Sequence, residues 1–132
     1  MNDSQKIYSG GCHCGAIKFQ VKADQLLKVQ SCNCSICINT GYLHLIVPEK
    51  NFKLLQGKED LSLYQFNSNV AKHYFCQKCG IKSFYIPRSN PDGISVNVRC
   101  LHPIPDNVEI EAFDGQNWEL NVQELHHLSQ QP

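Results

Sequence analysis

The sequence predicts a mostly β fold with little helix, held together in part by bound metal. Three observations carry that prediction. Short runs alternate apolar with polar residues or are rich in β-branched and aromatic types, turn-forming residues separate them, and eight cysteines fall mainly into clusters.

The first strand is predicted over 16–21, where Ile17, Phe19 and Val21 alternate with lysine and glutamine, a period of two that buries one face. Runs of strand length follow at 26–31, 42–47, 52–56, 61–66, 70–75, 81–85, 94–98 and 110–113. Turn chemistry falls between them at Gly10-Gly11, Gly15, Gly57, 67–69, 90–93, 103–107 and Asp114-Gly115. Two helical stretches are expected, at 35–40 and 122–128, and the tail 129–132 is expected to be disordered.

A length of 132 residues with 42% hydrophobic content predicts one domain, 1–132, able to bury a core. Twelve basic residues balance twelve acidic ones, so the cationic excess that draws a protein to a phosphate backbone is missing and nucleic acid is not an expected partner. The first ten residues are polar and charged where a secretory leader would be apolar, and no run is apolar long enough to span a bilayer. A cytoplasmic protein without membrane contact is the expectation. In a reducing compartment, metal ligation explains eight cysteines better than disulfides do.

The cysteines stand as Cys12-His13-Cys14, Cys32-Asn33-Cys34-Ser35-Ile36-Cys37 and Cys76-Gln77-Lys78-Cys79, with Cys100 alone. Zinc prefers four ligands in a tetrahedron, with Zn–S near about 2.3 Å. On a regular strand Cys12 and Cys14 would point the same way but lie roughly 6.5–7 Å apart, so both reach one ion only if the chain bends. Gly10, Gly11 and Gly15 are expected to allow the bend. Cys76 and Cys79 form a knuckle that Gly80 closes through a positive φ. Together the two pairs make a closed structural site that staples segments distant in sequence.

Cys32, Cys34 and Cys37 remain as a local triplet. Three protein ligands and an exchangeable fourth position are the pattern of a reactive zinc, which would favour the thiolate form of an incoming thiol. Two zinc ions per chain are therefore expected. The fourth place of the triplet is either open to substrate or filled by Cys100 or a histidine.

His13 is expected to project away from its neighbours' metal, and His73 to be a strand histidine satisfied by hydrogen bonds. His44 is the best-placed histidine for supporting the triplet or touching substrate, while His126 and His127 read as exposed tail residues. Cys100 reads as a buried free thiol or the missing ligand. Arg88 and Arg99, the only arginines, are candidates to bind a substrate carboxylate in a bidentate fork, and Trp118 is a candidate core anchor. The β-rich surroundings exclude a thioredoxin-like pair at Cys76 and Cys79.

The segments Gly11-Cys12-His13-Cys14-Gly15, Cys32-Asn33-Cys34-Ser35-Ile36-Cys37 with Gly41, and His73-Tyr74-Phe75-Cys76-Gln77-Lys78-Cys79-Gly80 resemble the glutathione-dependent formaldehyde-activating enzymes and the centromere protein V group. The segments 83–93 and 113–118 resemble the centromere protein V branch in particular, and the resemblance covers roughly 8–119. It implies a β-tent fold of two small sheets, a structural zinc on Cys12, Cys14, Cys76 and Cys79, and a catalytic zinc on Cys32, Cys34 and Cys37. It further implies a carbon–sulfur lyase that joins glutathione and formaldehyde into S-hydroxymethylglutathione, or cleaves that adduct. The centromere protein V relatives imply a different function, a non-catalytic interaction module with two structural zincs.

Overall fold

The computed structural model describes residues 5–66 and 69–129. Ten strands dominate: β1 (Gln5–Gly11), β2 (Lys18–Asp24), β3 (Leu27–Cys32), β4 (Leu43–Pro48), β5 (Phe52–Gln56), β6 (Leu61–Tyr64), β7 (His73–Cys76), β8 (Phe84–Tyr85), β9 (Gly93–Asn97) and β10 (Val108–Phe113). Three short α-helices join them: α1 (Ser35–Thr40), α2 (Trp118–Asn121) and α3 (Gln123–His126). The prediction of a mostly β chain with little helix holds.

The strands form three sheets among the described residues, ordered β1-β2-β5, β10-β3-β4-β9-β8 and β6-β7, where the resemblance implied two. Pairing is antiparallel except for β10, which runs parallel to β3 along the edge of the largest sheet. The parallel register sets Phe113 opposite Cys32.

Strand β1 was missed because its sequence is polar and ends in two glycines. Only Tyr8, Gly10 and Gly11 of its seven residues are buried, and the strand forms because β2 pairs along its whole length. Strand β2 keeps the predicted alternation, with Phe19, Val21 and Ala23 inward, but begins two residues later than expected. Ile17 is committed to the turn before it: its N–H donates to Cys12 Sγ at 3.2 Å, and its carbonyl accepts from Cys12 N at 3.2 Å.

The main core lies between the sheets and includes Ile17, Phe19, Val21, Leu27, Val29, Val96 and Leu101. Removing this much apolar surface from water supplies the principal driving force. A smaller cluster of Ile46, Phe113 and Leu125 seats the C-terminal helices on the largest sheet. Ser129 belongs to that seat rather than to a disordered tail: it is buried and its hydroxyl accepts from Asn90 Nδ2 at 2.8 Å. The rest of the expected tail, 130–132, lies outside the described residues, as do 67 and 68 of the predicted turn at 67–69. No helix among the described residues is long and apolar enough to cross a membrane.

Candidate metal centres

The four-cysteine cluster joins two sheets. Cys12 and Cys14 follow β1, Cys76 ends β7, and Cys79 follows in the knuckle, so the cluster ties the β1-β2-β5 sheet to the β6-β7 hairpin. All four sulfurs lie within 4.8 Å of one another. A tetrahedral zinc with Zn–S near about 2.3 Å needs sulfurs about 3.8 Å apart. Cys12 and Cys14 are separated by 3.6 Å and Cys14 and Cys76 by 3.7 Å, so the donor set fits zinc.

The predicted bend comes from Gly15 at φ +84, and the knuckle is closed by Gly80 at φ +78, whose N–H donates to Cys76 O at 2.8 Å. Gly10 and Gly11 act differently from the expectation. Neither has a positive φ; a Cβ on Gly11 would overlap the Ile17 carbonyl, and one on Gly10 would press on Cys100 O and Phe19. They serve close packing of the chain.

The second cluster is built over a few residues. Cys32 ends β3, Cys34 caps α1, and Cys37 is buried in the helix, which stops at Gly41 with φ +64. The three sulfurs also lie within 4.8 Å of one another, as three ligands of one zinc require. Without metal the thiols titrate as a unit. Cys34 falls to about 2 because Cys32 and Cys37 donate to it, whereas Cys37 is pushed far up by its bonds to Cys32 and Cys34 and by burial. Three sulfurs this close, of which Cys34 gives up its proton most readily, form a donor set for a metal that displaces the remaining protons.

His44 stands against this triplet and is not one of its metal-holding group. Its Nε2 lies 3.1 Å from Cys37 Sγ, and its Nδ1 lies 3.0 Å from Ser95 Oγ and 3.2 Å from Tyr85 Oη. Burial lowers its pKa to about 3, so the ring is neutral. A metal-bound Cys37 thiolate would only accept, which would place the ring proton on Nε2 and leave Nδ1 to accept from the neighbouring hydroxyls.

A cavity of about 520 Å³ opens beside the triplet, a size that suits a small-molecule ligand. Its walls include all three cysteines, His44, Arg88 and Trp118. Arg88 stacks over the Trp118 ring at 3.7 Å and approaches the exposed Glu119 at 3.5 Å. Trp118 is thus half-buried between the small core cluster and the cavity, rather than a simple core anchor. Arg99 does not line this cavity; its Nε donates to Gly41 O at 3.0 Å.

Sequence reasoning missed the strap after β10. Asn33 Nδ2 donates to Asp114 Oδ1 at 3.0 Å, Gln116 N donates to Asn33 Oδ1 at 2.9 Å, and Gly115 rests directly on the triplet, where a Cβ would overlap Cys32 Sγ. Asp114-Gly115 read as a turn within the resembling segment 113–118, and nothing local in the sequence says which sulfur it meets. Cys100 belongs to neither cluster. It is buried near Cys12 and Cys79, and burial raises its pKa to about 11. His73 is, as expected, a hydrogen-bonded strand histidine, with Lys82 Nζ 2.7 Å from its Nδ1. His13, His126 and His127 are exposed.

The family model of the glutathione-dependent formaldehyde-activating enzyme matches residues 7–116, a span that contains both clusters and the strap. The chain belongs to this family. A Halomonas elongata protein named for glutathione-dependent formaldehyde activation is 30% identical over 81 residues, 55% of this chain; the match spans 52% of that relative, about half its length. A crystal structure of a Rhodobacter sphaeroides protein superposes with a TM-score of 0.72 at 33% identity, covering 80% of this chain and 99% of that one. Membership in the formaldehyde-activating family agrees with the cavity beside three thiols.

Proposed function

We propose that the chain is a single zinc-binding domain acting as a carbon–sulfur lyase-type enzyme, which makes and breaks the adduct of glutathione, or a similar thiol, with formaldehyde or another small aldehyde. Cys12, Cys14, Cys76 and Cys79 would hold a structural zinc, and Cys32, Cys34 and Cys37 a catalytic one. The observation that carries this reading is the contrast in surroundings: among the described residues the triplet lines a ligand-sized cavity and has no fourth protein ligand in its group, whereas the other cluster has four.

A zinc ion on the triplet supplies Lewis acidity that favours the thiolate form of an entering thiol at neutral pH. In the forward reaction the thiol sulfur attacks the aldehyde carbon, the C–S bond forms as the C=O π bond breaks, and the thiol's proton reaches the oxygen through solvent. His44 orients Cys37 by donating to its sulfur and keeps charge from collecting there. Arg88, preorganised on the face of Trp118, offers its fork to a carboxylate of the thiol substrate.

Cobalt substitution tests the reading. Millimolar glutathione is expected to change the visible spectrum of the cobalt-loaded protein, and zinc-loaded protein is expected to accelerate adduct formation followed by carbon NMR. An unchanged spectrum with two saturated tetrahedral sites would leave an interaction module instead.

A further inference from the structure

The cavity holds two hydrogen-bonding side chains that the mechanism above does not use. Gln30 is the first. It is only 8% exposed and lines the cavity, and its Oε1 is the one buried side-chain oxygen or nitrogen without a partner among the described residues. Buried polar groups are nearly always paired, so an orphaned one in a ligand cavity points to a ligand. Gln30 sits on β3 two residues before Cys32, so both side chains leave the same face of the strand, and its cross-strand partner is His44. The orphaned amide therefore stands beside the triplet.

The second is His73. Its ring is stacked between Tyr85 at 4.8 Å and Phe66 at 5.4 Å. Its Nδ1 meets Lys82 Nζ at 2.7 Å, from a lysine that is 9% exposed and sits 3.8 Å over the Tyr85 ring without a carboxylate partner among the described residues. Burial lowers the Lys82 pKa to about 8, so at neutral pH it is chiefly an ammonium with donors only, against which His73 Nδ1 accepts and the ring proton lies on Nε2. Burial and the Lys82 charge keep this ring neutral, with its pKa lowered to about 4. His73 lines the cavity while Lys82 does not, and Nε2 has no protein partner among the described residues.

We propose that Gln30 and His73 bind the oxygen of the aldehyde and of the hydroxyl it becomes, His73 donating from Nε2 and Gln30 Oε1 accepting the hydroxyl proton, with Lys82 as the positioning residue that sets the His73 tautomer. This rests on the functional reading above and names its oxygen-binding residues. A donor fixed toward the oxygen where negative charge develops lowers the barrier to C–S bond formation. An acceptor beside it favours the hydroxymethyl product over the free aldehyde, which has no proton to donate.

Gln30→Leu and Lys82→Met, compared with wild type in zinc- and cobalt-loaded form, test the assignment. Replacing an orphaned buried amide by an apolar side chain of similar size does not harm the fold, so Gln30→Leu is expected to keep both metals, the glutathione-induced spectral change and a melting temperature at or above wild type. Its kcat/KM for formaldehyde is expected to fall roughly ten- to a hundredfold. Lys82→Met is expected to release the His73 tautomer, read from long-range proton–nitrogen NMR, and to lower kcat about tenfold while glutathione still perturbs cobalt. An active wild type with Gln30→Leu within twofold of it, or an unchanged His73 tautomer in Lys82→Met, overturns this assignment alone. A wild type that neither responds to glutathione nor turns over overturns the functional reading, and this inference with it.

Discussion

The two cysteine clusters use the same donor atom and differ in what surrounds it. The four-cysteine cluster draws its ligands from the ends of strands in different sheets, and its loops pack back on the core through Gly11 and Ile17. The triplet takes its ligands from one strand end and one short helix, and a wall of the cavity is open beside it. Ligands that join distant segments couple metal binding to folding. Ligands from one short segment, held in place by neighbours, leave coordination free for chemistry.

Cys76→Ser should break that contrast most severely. Cys76 is fully buried, and a structural zinc contributes about 10 kcal/mol or more, comparable with the roughly 5–15 kcal/mol that stabilises a whole domain. The variant is expected to lack a cooperative thermal transition by circular dichroism, whereas Cys34→Ser keeps one and retains about one zinc per chain. A Cys76→Ser protein that melts like wild type would remove the structural role of its cluster.

Gly115→Ala comes next. The added methyl meets Cys32 Sγ, so metal analysis should find the second zinc lost and the first retained, in a protein that still folds. Two full equivalents of zinc would show that the strap yields without disturbing the triplet.

His44→Phe should sharpen the difference without abolishing either site. Losing the donor to Cys37 is expected to weaken zinc at the triplet by about 10- to 100-fold in competition with a chromophoric chelator, and to leave the four-cysteine affinity unchanged. Equal weakening of both sites would contradict a local role. The smallest effect belongs to Tyr85→Phe, which removes one hydroxyl from His44 Nδ1 while Ser95 remains; about 1 kcal/mol or less of stability should be lost in denaturant unfolding.

Legibility followed the range of the interactions. Strand β5 and helix α1 match their predicted limits, because flanking residues, Gly57 and Gly41, end them locally. Strand β1 was illegible because its neighbours, not its own residues, decide its pairing. The distinction between Arg88 and Arg99 was equally hidden: both follow the knuckle of Cys76 and Cys79, yet only Arg88 reaches the cavity.

The sequence alone determined the local cysteine groupings and the positive-φ turns at Gly15 and Gly80, because sulfurs a few bonds apart on a tight turn have little choice of geometry. Only the tertiary structure decided what each set faces. The parallel run of β10 beside β3 delivers Phe113 and Gly115 to Cys32, and the β3–β4 pairing sets Gln30 beside His44. Those meetings join residues as much as 83 positions apart, and burial of the shared core, rather than any local preference, brings them together.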